Sequence, residues 1–309
     1  MTALAEHLAD YLRLRRSLGH DLADAARLLP GLVDFLDSRG LATITVPTAL
    51  EWADQPNAYP GSTVSPRRMT AARGFARYLA GVDPATEVPP LGLLTYPRRW
   101  PHPFVFSPAD LATVLDGLRG LTPPSRAATY TTLIGLLAAS GLRIGEAIRL
   151  DHTDVDWTRG VLLIRESKFG KSRLVPLQDN SMQAMDEYIR LRRPNQSNVD
   201  EPAFFTSRTR KRLCYTVVGL TFRQIVDDAG IGVDAPHRPR LHDLRHTFAI
   251  RTLLGWYRAG EDVQAKIPLL STYLGHREPA CTYWYLSAVP ELLACAAERQ
   301  ETQWAAARS

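Results

Sequence analysis

Two arginines, two histidines, a lysine and a tyrosine stand in four short stretches of the second half of this chain, and their types match what cleavage of a phosphodiester demands. The stretches are Ser140-Gly-Leu-Arg143-Ile-Gly-Glu146, Lys168, His242-Asp-Leu-Arg245, and Leu274-Gly-His276 followed by Tyr285. Arginine can hold non-bridging phosphate oxygens through paired N–H donors. A tyrosine oxygen can attack phosphorus, and a lysine and histidines can move the protons that the attacking and leaving oxygens lose and gain.

Each residue also has a plainer reading. Arg143 follows an apolar segment, where an unpaired guanidinium is costly, so it needs an anion. Glu146 can supply that anion as a salt bridge, or it can brace Arg143 for an external one. His242 and Arg245 are spaced i, i+3 and share one helix face, so both can reach the same group. His242 and His246 have the i, i+4 spacing of a zinc-binding helix, but position 243 is aspartate where the metalloprotease motif has glutamate, and no third ligand is near. No metal or cofactor is expected, and His246 is read as a packing or capping residue. Tyr283 and Tyr285 are two apart and face nearly opposite sides of a helix, so only one can meet His276; Tyr285 has the better spacing.

The elements that must position these residues follow from periodicity. From Leu4 to about Leu79 apolar residues recur at helical spacing, with Gly19, Gly40 and Gly81 at the stops and Ser65-Pro66 opening a last helix. Residues 1–84 are thus a helical domain. Its last helix carries Arg67, Arg68, Arg73 and Arg77, either a solvated basic face or a face laid on DNA. Prolines at 84, 89, 90, 97, 101, 103 and 108 mark residues 85–106 as an extended linker. A second domain, 107–309, opens with Ser107-Pro108 as cap and first turn. Tyr130 to Leu150 reads as buried helix broken near Gly141. Gly160–Arg165 and Ser172–Leu177 are strand-like runs flanking a turn at Lys168-Phe-Gly-Lys171, a small antiparallel hairpin within a helical domain. Helical patterns return from Gln183, with loops at 194–202 and 230–239. His242 opens one helix, Leu274-Gly275 closes the next, and Glu278-Pro279 starts the one that bears Tyr285. Residues 290–309 have the spacing of a tail helix. The fold class is mainly α with a small antiparallel sheet.

The 309 residues carry a formal charge of +5, and of their cations only Lys168, Lys171, Lys211 and Lys266 are lysines. That balance suits a polyanionic partner without proving one. Cys214, Cys281 and Cys295 form no CxxC pair, which points away from a disulfide framework or thiolate metal site. Neither a signal segment nor a membrane-length apolar run is evident, so a cytoplasmic, nucleoid-associated protein is expected. There is no Gly-x-Ser-x-Gly elbow for a serine hydrolase and no carboxylate cluster for a metal-dependent nuclease.

With these motifs in order, the chain closely resembles the tyrosine recombinase family, the phage-type integrases, over roughly Ser107 to Leu286. The resemblance rests on Gly-Leu-Arg143-x-x-Glu146, the hairpin Lys168-Phe-Gly-Lys-Ser-Arg-Leu-Val-Pro-Leu, His242-x-x-Arg245, Leu-Gly-His276 and Tyr285. It implies a catalytic set of Arg143, Lys168, His242, Arg245, His276 and Tyr285, with Glu146 in support, and an N-terminal domain that binds the DNA core site. Leu254 to Asp262 is longer than usual in the family.

The resemblance implies cleavage and rejoining of DNA through a 3′-phosphotyrosyl intermediate. Arg143, Arg245 and His276 would hold the phosphate, His242 would accept the tyrosine proton, and Lys168 would protonate the 5′ oxygen. Expected partners are double-stranded recombination sites and further copies of the chain, as dimers and tetramers on DNA, with helper recombinases as another class. Arg208, Arg210, Lys211, Arg212, Arg238 and Arg240 read as DNA-backbone contacts or as solvated loops. Integration or transposition of a mobile element is the expected role, with chromosome-dimer resolution or a non-catalytic DNA-binding relative as alternatives.

Overall fold

A computed structural model describes residues 2–56, 64–94, 103–167, 171–192, 202–276, 278, 280–288 and 292. The chain forms two compact units, Met1–Trp100 and Pro101–Ser309.

The first unit packs α1 (Ala3–Ser17), α2 (Ala23–Asp37), α3 (Val46–Ala53) and α4 (Val64–Leu79) around Leu29, Leu32, Leu36, Trp52, Met69 and Phe75. The stops follow backbone chemistry: Gly19 and Gly40 turn the chain at φ +80° and +65°, a region that L side chains avoid. Thr45 caps α3 through its hydroxyl, which accepts from the Thr48 amide at 3.4 Å. The proline-rich segment does not leave this unit at residue 84. Glu87 N–H donates to Ile44 O at 2.8 Å, and Arg73 donates to the carbonyls of Pro89 and Pro90 at 2.8 and 2.9 Å. Prolines leave carbonyls without competing amide donors beside them, and a neighbouring guanidinium collects those carbonyls.

The second unit begins with α5 (Pro108–Arg119), where Ser107 and Asp110 cap reciprocally. Next come α6 (Pro124–Ser140) and α7 (Ile144–Arg149), then β1 (Val155–Asp156), β2 (Val161–Ser167) and β3 (Lys171–Pro176), an antiparallel sheet in that order. Leu162, Ile164 and Val175 are buried while Leu163 and Leu174 are exposed, the period of two that a one-sided sheet imposes. β1 is too short to announce itself by alternation. Among the described residues there follow α8 (Asp179–Arg192), α9 (Tyr215–Asp228), α10 (Leu241–Arg258), α11 (Val263–Leu274) and α12 (Ala280–Ala288). The stretch from Leu254 to Asp262 extends α10 and turns at Gly260.

Among the described residues, two cores hold this unit. α6 contributes Tyr130, Leu133, Ile134 and Leu137 to the larger, against β2, β3, α8 and α9. α10, α11 and Tyr285 form the smaller with Leu253, Ile267, Leu270, Leu274 and Leu292. At about 2 kcal/mol per fully buried aliphatic side chain, the smaller core stabilises the packing of α10 against α11. The hairpin tip with Lys168 lies outside the described residues, as does the tail expected to be helical, save Leu292.

Candidate active site

Gly141 ends α6 in the left-handed conformation at φ +61°, and a Cβ there would meet Phe248 at 2.6 Å. The turn therefore needs glycine twice over, for its dihedral and for space. Two residues later Arg143 stands at the start of α7. Glu146, 3% exposed, accepts from the Arg143 amide at 3.0 Å and from its Nη1 at 2.8 Å. The same carboxylate accepts from Arg173 of β3 at 3.1 and 2.9 Å. Burial pushes the Glu146 carboxyl up, but the hydrogen bonds from Arg173 and the Arg143 amide, with the charges of both arginines, outweigh it and hold its pKa at about 2. The carboxylate stays charged and fixes both guanidinia.

α10 brings Arg245, 1% exposed, under the same place. Its Nη1 donates to Gly141 O at 2.8 Å and its Nη2 to Leu274 O at 2.6 Å. Arg143 Nη2 donates to Gly275 O at 3.1 Å, and Arg173 Nε donates to Tyr273 O at 2.9 Å. Three guanidinia thus take three consecutive carbonyls at the C-terminus of α11, where carbonyls lack helical partners and the helix dipole is negative. Gly275, at φ +69°, closes that helix with its Cα against the Arg173 guanidinium; an added Cβ would lie 2.8 Å from Nη1.

His276 follows the glycine directly. Its Nδ1 lies 2.7 Å from Thr282 Oγ1, a fully buried hydroxyl of α12. With Nδ1 accepting, the proton sits on Nε2, free to donate to an anion. Burial and then the charges of Arg245 and Arg143 lower the His276 pKa to about 3, so its ring is neutral. Tyr285 is 2% exposed and its ring stacks on His276 at 6.2 Å between centroids. Burial raises its pKa, opposed by Arg245 and Arg143. Tyr283, 45% exposed, faces away on the surface.

The hydroxyl of Tyr285 lies 3.0 Å from Nδ1 of His246, not from the expected base, His242. His242 sits one turn earlier on α10 with an exposed edge, its ring perpendicular to that of His246 at 4.6 Å. Crowding by the surrounding protein and then Arg245 and Arg143 lower its pKa. The sequence motifs single out Arg143, Glu146, His242, Arg245, His276 and Tyr285, and the fold brings all six together. They pass over Arg173, His246 and Thr282 as parts of the site. For His246 the signal is its i, i+4 spacing from His242, which reads equally well as a metal pair. Arg173 has its register: it opposes Ile164 on the inward face of the hairpin.

The basic residues divide. Arg68 donates to Gln55 O at 3.1 Å, Arg73 holds Pro89 and Pro90, and Arg67 pairs with Asp24. Arg212 holds Ile148 O at 2.9 Å and pairs with Asp151. Arg77, Arg208 and Lys211 are exposed; Arg238 and Arg240, also exposed, pair with Asp227 and Asp243, and Arg210 is half-buried at φ +61°. Arg240 and His242 line a cleft of about 500 Å³ with Tyr215, Leu220 and Arg223 of α9.

The family model described as the phage integrase family matches residues 113–291. A protein of Sinorhizobium fredii (strain NBRC 101917 / NGR234) named as integrase/recombinase y4rB is 38% identical over 314 residues, covering 98% of this chain and 99% of the relative. Tyrosine recombinase XerD of Caulobacter vibrioides is 29% identical over 307 residues, covering 95% and 87%. Among solved structures, the Tn1549 transposon integrase in complex with transposon right-end DNA aligns over 97% of this chain and 99% of its own, with a TM-score of 0.69 at 18% identity, a likeness of fold.

Proposed function

Because this chain belongs to the phage integrase family, we propose that it is a site-specific DNA recombinase in which Tyr285 is the nucleophile. The observation that carries the reading is the convergence of Tyr285, Arg143, Arg245 and His276 on one place, with the alternative Tyr283 outside it.

A phosphodiester repels nucleophiles by its charge and leaves a poor alkoxide. Arg143 and Arg245 answer the first problem by holding the non-bridging oxygens, and Nε2 of His276 adds a neutral donor. Lys168, by resemblance, answers the second by protonating the 5′ oxygen. Attack by Tyr285 gives a 3′-phosphotyrosyl protein and a free 5′-hydroxyl, and the new ester keeps the energy of the broken one. Rejoining by a partner strand then requires neither ATP nor a divalent metal. Two DNA sites and four protomers complete the exchange, with integration or transposition of a mobile element as the role; the likeness to a protein named integrase/recombinase supports that role. Exposed Arg77, Arg208, Lys211 and Arg240 are assigned to the DNA backbone.

Trapping tests the reading. Protein is incubated in EDTA with nicked suicide duplexes taken from the DNA flanking its own gene, and wild type, Tyr285→Phe and Tyr283→Phe are compared on denaturing gels. A covalent adduct lost in Tyr285→Phe alone is the expected result. Loss in Tyr283→Phe alone overturns the nucleophile, an adduct dependent on added metal overturns metal independence, and no adduct on a duplex that the protein binds overturns catalysis.

A further inference from the structure

We propose that His246 is the catalytic residue that takes the proton of Tyr285 during strand cleavage; the inference rests on the recombinase reading above. A proton acceptor must first be in contact with the proton. His246 Nδ1 is 3.0 Å from Tyr285 Oη, within hydrogen-bond distance. The His242 and His246 imidazoles meet edge to face with centroids 4.6 Å apart, and of the two it is His246 that the Tyr285 hydroxyl meets.

The His246 ring is also held on its other sides. It packs edge to face against Trp284 at 5.6 Å and against the Tyr285 ring at 5.5 Å, so its orientation toward Oη is set by the fold. The charged and titratable groups bearing on it are His242, Arg245 and Arg240 from α10 and its N-cap, and His276 beyond α11. Burial, and then these groups, lower its pKa to about 3, so in the DNA-free protein His246 is neutral and able to accept. A phosphodiester between Arg143 and Arg245 brings a negative charge into this field. It makes the imidazolium easier to form, so the acceptor strengthens when substrate is in place.

The step balances. The Tyr285 O–H bond breaks and its proton passes to Nδ1; the Oη–P bond forms and the P–O5′ bond breaks; the 5′ oxygen takes a proton from the acid assigned to Lys168. On rejoining, the 5′-hydroxyl gives its proton back to the neutral Lys168 amine as its oxygen bonds to phosphorus, the P–Oη bond breaks, and the His246 imidazolium returns its proton to the departing Tyr285 oxygen.

The test uses the full chain and the suicide duplex above, with a second duplex whose scissile 5′ bridging oxygen is sulfur, a leaving group that needs no proton. His246→Asn keeps a hydrogen-bonding atom near the position of Nδ1 but cannot accept a proton. It is expected to bind DNA and melt like wild type, to cleave about 100-fold more slowly, and to show the same deficit on the sulfur duplex. Its log rate should rise with pH at unit slope. Cleavage within a few-fold of wild type, or a deficit that vanishes with sulfur, overturns the proposal. Should His246→Asn not fold, His246→Gln is read instead, beside the wild-type pH profile, where a rate proportional to hydroxide from pH 6 to 9 is the overturning result. A wild-type protein that forms no adduct removes the recombinase reading and this inference with it, whereas adduct formation unaffected by the substitution removes this inference alone.

Discussion

Arg143 and Arg245 donate to the carbonyls of adjacent residues, Gly275 and Leu274, at 3.1 and 2.6 Å. Two arginines from different helices are therefore registered by one stretch of backbone. A lysine at 245 keeps the charge but cannot span Gly141 O and Leu274 O together. Arg245→Lys is expected to bind DNA within a few-fold of wild type and to cleave at least about 100-fold more slowly, measured as adduct formation under single-turnover conditions.

Glu146 is the shared anion of Arg143 and Arg173. Glu146→Gln leaves two guanidinia without their charge partner in a buried place, and a loss of about 3 kcal/mol in unfolding free energy is expected from chemical denaturation. DNA affinity should not fall, because the change removes a negative charge from a positive surface. A variant as stable as wild type would contradict the bracing role.

Gly141→Ala places a Cβ at φ +61° and 2.6 Å from Phe248. The strain of the left-handed residue costs about 1 kcal/mol and the clash adds to it. Because Gly141 also supplies the carbonyl that Arg245 holds, cleavage should fall more than the melting temperature suggests. Phe248→Ala in the same chain should recover stability before it recovers cleavage.

The histidines link stability to pH. His246 and His276 have pKa values of about 3 in the fold against about 6.5 when unfolded. As pH falls below 6.5 the unfolded chain gains protons that the fold refuses, so stability is full above that value and declines toward pH 3. The slope expected between pH 6 and 4 is on the order of 2 kcal/mol per unit, about 1.4 for each of the two histidines once the unfolded ring is fully protonated, read from melts in matched ionic strength. Glu146 contributes further loss only below its unfolded value, from pH 4.5 downward. A melting temperature flat from pH 7 to 5 would contradict this.

Salt dependence separates the two kinds of arginine. Neutralising exposed Arg77, Arg208 or Lys211 should lower the slope of log affinity against log salt by about 0.9 for each phosphate that the side chain had neutralised. Replacing Arg73 or Arg212, which hold backbone carbonyls within the fold, should lower the melting temperature instead.

Much of this is legible in the residues. Helix ends at Gly141 and Gly275 show because the left-handed turn admits few other residues, and the hairpin shows because two β-rich runs flank a glycine-containing turn. What stays hidden is long-range. Neither the spacing of Arg173 nor that of His246 tells which partner lies opposite, because Glu146 and Tyr285 reach them through tertiary packing. The same holds for the four arginines of α4: a basic face in sequence is in part a set of intramolecular ties in space. β1 is two residues long, below any useful periodicity.

The carbonyls of Tyr273, Leu274 and Gly275 have one more consequence, and it is entropic. A free arginine side chain surrenders about 2 kcal/mol of rotamer freedom when it is immobilised. Arg173, Arg245 and Arg143 are already immobilised on those carbonyls before any strand arrives. That cost falls on folding, where the cores of α6 and α10 offset it, so an incoming phosphate meets donors that are already ordered.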